Sequence, residues 1–94
     1  MTNKAHTAVV NRIIARYQGT LADGGVLDVI AGPLLVAVET TATLATSFPQ
    51  ILAIEGTRYI AVTNQESLEE AKRLTEGTPV GVMNSQGDIV KEAE

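Results

Sequence analysis

The chain has 94 residues, no cysteine, 45% hydrophobic but only 3% aromatic residues, and a formal net charge of -4 at pH 7. That length holds one hydrophobic core, so residues 1–94 are expected to form a single small domain. The missing thiols exclude disulfides, thiolate zinc sites and cysteine nucleophiles, and the net acidity weighs against a general electrostatic grip on nucleic acid.

From Lys4 to Tyr17 the apolar positions Val9, Val10, Ile13, Ile14 and Tyr17 recur at helical spacing, and Lys4, Arg12 and Arg16 stack on another face. The spacing predicts an amphipathic helix, the one basic element of an acidic chain. Gln18-Gly19 can end it, and Leu21-Ala22-Asp23-Gly24-Gly25 reads as a weak edge strand or a turn. Val26 to Ile30 and Leu34 to Glu39 are short, β-branched runs that predict a hairpin about Gly32-Pro33, with strands covered on both faces. That turn sets Asp28 opposite Ala37, with Glu39 its diagonal neighbour on the same face.

The threonine-rich stretch Thr40 to Ser47 reads as a loop or a frayed helix start. A short helix is expected to begin at Ser47 or Phe48, because proline at 49 suits a first turn, and to run from Gln50 to Glu55. Arg58 to Thr63 predicts a central strand. Ser67-Leu68-Glu69-Glu70 reads as a capping box opening a helix to about Leu74. Pro79 to Met83, a tight turn at Asn84-Ser85-Gln86-Gly87, and Asp88 to Lys91 complete a closing hairpin. The expected fold class is α/β, a central mixed sheet flanked by helices. The amino terminus lacks the layout of a secretory signal, and no apolar run approaches the roughly 20 residues that span a bilayer. The expectation is therefore a cytoplasmic protein with no membrane partner, and a core this thin predicts a homodimer.

Asp28 and Glu39 are the residues that ask for an explanation, since each stands in an apolar run. At an effective dielectric of about 20, like charges about 5 Å apart repel by roughly 3 kcal/mol, so a close pair must share a proton or a cation. Two readings follow: metal ligation, or strand-end carboxylates that cap backbone amides and pair with Arg12, Arg16 or Arg58. Magnesium suits the first, because it is often held by one or two carboxylates plus phosphate oxygens and water. His6 reads as a capping or solvated side chain or as a ligand, and Gln50 as a surface or a site residue. The stripe of Lys4, Arg12 and Arg16 reads as a solvated face or a phosphate contact.

A helix, a strand bearing Asp28, a hairpin turn, a strand ending in Glu39 and a following helix with Gln50 resemble the PD-(D/E)XK, or restriction-endonuclease-like, nuclease superfamily. The likeness covers roughly His6 to Val90. It implies an αβββαβ core with a terminal hairpin, DNA or RNA as partner, and Mg2+ held by Asp28 and Glu39. The same resemblance puts Thr41 at the position of the water-orienting lysine, makes Gln50 the helix glutamine of RecB-like members, and leaves Lys4, His6, Arg12 and Arg16 to face nucleic acid. Because Thr41 is not a cation, the likeness implies a degenerate catalyst; a non-catalytic interaction or regulatory module that kept the fold is the alternative.

Overall fold

The computed structural model describes residues 4–22 and 24–94. Asp23, within the expected edge strand or turn, lies outside the described residues. Helix α1 spans Lys4–Tyr17, as its periodicity demands, and buries Val9, Val10 and Ile13. It ends where Gln18 adopts φ +55° and the Gly19 N–H donates to the Ile14 carbonyl at 2.9 Å, a six-to-one closure that satisfies an orphan carbonyl. Gly19 is needed there, because a Cβ would sit 2.8 Å from the Val29 side chain.

The strands are β1 (Thr20–Leu21), β2 (Val29–Ala31), β3 (Leu34–Glu39), β4 (Thr57–Val62), β5 (Gly81–Met83) and β6 (Ile89–Lys91). They form one six-stranded sheet in chain order. β1, β2 and β3 are antiparallel, β3, β4 and β5 parallel, and β6 antiparallel to β5. Helices α2 (Thr41–Leu52) and α3 (Gln65–Thr75) make the two crossovers that parallel pairing requires. The structure is thus the expected α/β sheet flanked by helices. Among the described residues no helix is long and apolar enough to cross a membrane.

Alternation along the strands divides the core in two. Val29, Val36, Val38, Tyr59, Ala61 and Met83 pack with α1, whereas Ala37, Ile60, Val62, Val80 and Val82 pack with α2 and α3. The β2–β3 register pairs Val29 with Val36 and Ala31 with Leu34. Gly32 at φ +58° followed by Pro33 fits the two-residue turn between them. The paired residues end at Val29 and Val36, and ahead of them the Asp28 N–H donates to the Val36 carbonyl at 2.9 Å instead of extending the expected pairing with Ala37.

Several boundaries differ from the sequence reading: β1 is Thr20–Leu21, β4 ends at Val62, β5 begins at Gly81 and β6 at Ile89. β2 begins at Val29, and Val26 and Leu27 instead pack beneath α2 and α3. α2 begins at Thr41, ahead of the expected start at Ser47 or Phe48, and ends at Leu52 rather than Glu55, so Pro49 lies in its interior. Thr40 caps it: the Thr40 N–H donates to the Thr43 hydroxyl at 3.0 Å. Burying Leu44, Phe48 and Ile51 on one stripe outweighs the hydrogen bond that Pro49 forfeits. α3 is capped by Asn64, whose side chain accepts the Ser67 N–H at 2.8 Å, so Ser67 is the third helical residue and not the cap.

Candidate functional site

The site lies at the carboxyl end of β3, where the amino termini of α1 and α2 meet the start of β2. Asp28 is fixed there by backbone pairing, its N–H donating to the Val36 carbonyl at 2.9 Å and its carbonyl accepting from Ala22 at 2.9 Å. Its carboxylate continues the ladder: Oδ2 accepts the Val38 N–H at 2.7 Å. Oδ1 lies 3.2 Å from Nε2 of His6, which reaches over from the first turns of α1. Asp28 therefore serves as strand-end cap and as partner of an imidazole, and no arginine takes either role.

Glu39 closes β3 beside Val62 of β4 and is only 5% exposed. Asp28 and Glu39 line the same cavity, and each feels the other's charge. Burial raises the Glu39 pKa above the ordinary glutamate value, and the nearby Asp28 charge pushes the same way. The polar hydroxyls of Ser47 and Thr43 on α2, with the field of His6, oppose that rise without cancelling it.

These groups open into one cavity of about 320 Å³, lined by His6, Asp28, Glu39, Thr40, Thr43 and Ser47 among others. It is a hydroxyl-rich recess carrying two carboxylates and one imidazole. Among the described residues no three His, Cys, Asp or Glu side chains are grouped so that they could cage a metal ion. Two carboxylates on one open recess do match what Mg2+ takes when water and phosphate oxygens complete its shell. The donor set thus fits a water-rich, hard cation held at Asp28 and Glu39 and does not fit a dedicated zinc cage.

The other candidates from the sequence are placed elsewhere. Thr41 is the exposed first residue of α2, and Gln50 is exposed near its end; neither lines the cavity. Lys4 is exposed at the start of α1. Arg12 donates to the Ser85 carbonyl at 2.9 Å, and Arg16 donates to the Gln86 carbonyl at 3.2 Å and pairs with the Asp88 carboxylate. Both arginines thus clamp α1 to the turn between β5 and β6. Tyr17 joins them, its hydroxyl donating to the Gly87 carbonyl at 2.5 Å.

Ser47 is the site residue that sequence reasoning missed, and Thr43 falls in the stretch whose composition predicts a loop. A trace existed: Glu39, Thr43 and Ser47 recur every four residues, one face of a helix, once the helix is known to start at Thr41. Comparison with protein-family models, curated proteins and solved structures finds no match for this chain.

Proposed function

We propose that this domain is a nuclease-like module that engages the phosphodiester backbone of DNA or RNA through a divalent cation held by Asp28 and Glu39, with little or no hydrolytic turnover. One observation carries the reading: the carboxylate that ends β3 and the carboxylate of Asp28, just ahead of β2, line a single open cavity with His6 beside them, at a strand's carboxyl end, the place where open α/β sheets bind ligands. The run of helix, three strands, helix and strand from α1 to β4 supports the reading.

A bound Mg2+ would polarise the phosphodiester and make a coordinated water more nucleophilic. The chain's own residues supply the rest. Asp28 is held by the Val38 amide, so its position costs no reorganisation when a ligand arrives. Glu39 carries a carboxylate that burial and a like charge make costly to ionise, and a cation would relieve both. No lysine or arginine is among the cavity's lining residues. A water-orienting or leaving-group cation is therefore lacking, and that is why slow turnover is expected.

Melting curves test the reading. A cation that binds only the folded state at tenfold excess over its Kd stabilises by about 1.4 kcal/mol, which in a domain this size raises Tm by roughly 5 °C or more. MgCl2 or MnCl2 should produce such a rise, and Asp28→Asn, which keeps an oxygen to accept the Val38 amide, should remove it. Superimposable curves with and without metal would overturn the proposal.

A second reading, the non-catalytic assembly module, has its own observation. Each edge strand exposes an aliphatic side chain, Leu21 of β1 at 69% and Val90 of β6 at 44%, and such edges invite pairing with another chain. Sedimentation would favour this reading if the protein is a dimer that Leu21→Lys dissociates while metal leaves Tm unmoved.

A further inference from the structure

We propose that His6, in the first turn of α1, is a positioning residue that holds the Asp28 carboxylate in the orientation from which it can bind a cation. The inference rests on the proposed cation site and goes beyond it by assigning the group that makes Asp28 a preformed ligand. Nε2 of His6 lies 3.2 Å from Oδ1 of Asp28, and Oδ2 accepts the Val38 N–H at 2.7 Å. A carboxylate only accepts, so the imidazole is the donor. Each oxygen thus has its own donor, one from α1 and one from β3. With the Val38 amide alone the carboxylate could pivot about a single hydrogen bond, and the second donor stops that rotation.

The imidazole is itself carried on a fixed element. Val9, Val10 and Ile13 seat α1 in the core, and at its other end Arg12, Arg16 and Tyr17 donate to carbonyls of the turn between β5 and β6. His6 and Asp28 both line the cavity, with side chains 32% and 24% exposed, and an ion pair that meets water contributes little to stability. The two oxygens of a carboxylate offer about four lone-pair sites, so two donors leave sites for an ion. Among the described residues no third His, Cys, Asp or Glu joins this pair so as to cage a metal. The imidazole is therefore assigned to the carboxylate and not to the cation. Groups that hold a metal's carboxylate ligands in this way typically change metal affinity by about 10- to 100-fold when removed.

The experiment is a calorimetric titration of the folded protein with MnCl2 at one fixed pH, alongside melting curves without metal. His6→Leu removes the donor and puts a better helix former into α1, so the helix is retained. His6→Gln returns an N–H donor at about the reach of Nε2. The expected result is a Mn2+ affinity about 10-fold weaker in His6→Leu and recovery in His6→Gln. If His6→Leu does not fold, His6→Ala makes the same comparison. A pair that serves stability alone would lower Tm in His6→Leu and leave its affinity at the wild-type value. An imidazole that ligates the ion would be missed equally in His6→Leu and His6→Gln, and tighter binding in His6→Leu would mean that the imidazole competes with the cation for Oδ1. Any of these three results, with Asp28→Asn unable to bind, would overturn the role of His6 and leave the cation site standing. A wild-type protein that takes up no Mn2+ would overturn both.

Discussion

Helix α1 touches two regions that handle charge in opposite ways. Its carboxyl-terminal half meets the turn between β5 and β6, where Arg16 pairs with Asp88, Arg12 and Arg16 donate to turn carbonyls, and Tyr17 donates to Gly87. Every charge there has an opposite charge or a carbonyl. Its amino-terminal turns meet the cavity, where two carboxylates line one recess and the imidazole of His6 sits beside Asp28. The first arrangement is what a fold selects to fasten a helix. The second raises the energy of the folded state, and a feature with that cost points to a role outside stability.

The comparison can be broken most forcefully at Ile13, which is fully buried and lies along α1 between the two regions. Ile13→Ala should cost about 2–5 kcal/mol in urea unfolding, with coincident transitions by circular dichroism and tyrosine fluorescence. Separate transitions would show that the two regions do not share one cooperative core.

At the cavity, Glu39→Gln should stabilise the protein at pH 7. The folded-state pKa of Glu39 is raised, chiefly by burial, so its contribution is fully favourable below the unfolded value, near 4.3, and is lost as pH rises through the folded value. The variant escapes that loss. Its Tm should exceed the wild type's at pH 7, and the gap should close below pH 4. A lower Tm at pH 7 would mean that the cavity does not strain the fold.

At the turn, Tyr17→Phe removes the hydrogen bond to Gly87 and should cost about 1 kcal/mol, read as a lower urea midpoint with unchanged slope. Asp88→Asn should have the smallest effect, since the pair with Arg16 is exposed. Its sign with pH is opposite to that of Glu39. Arg16 holds the Asp88 carboxyl below the usual aspartate range, so the pair's contribution is present above about pH 4 and fades as pH falls through the lower folded value. A variant deficit that persisted in strong acid would remove the ion pair as its cause.

Much of this was legible in the amino acids. Alternation and the Gly32-Pro33 turn fixed the hairpin register from Val29–Val36 to Ala31–Leu34. The period of Val9, Val10, Ile13 and Tyr17 fixed α1. The start of α2 was not legible, because Thr40 to Ser47 is polar and its threonines have weak helix propensity; only the seating of Leu44, Phe48 and Ile51 against β3, β4 and β5 makes that stretch helical. With the helix misplaced, Ser47 was invisible as a site residue. The partners of the arginines were equally hidden, since Arg16 and Asp88 are 72 residues apart.

Local patterning by itself determined where α1 and the hairpin form, because those features depend on neighbours a few residues away. Tertiary packing alone decided that α2 begins at Thr41, that β3, β4 and β5 run parallel, that Arg12 and Arg16 belong to the distant turn, and that His6 and Ser47 join the carboxylates in one cavity. Those outcomes rest on burial and hydrogen bonds between residues far apart in the chain, and no local window of the sequence contains both partners.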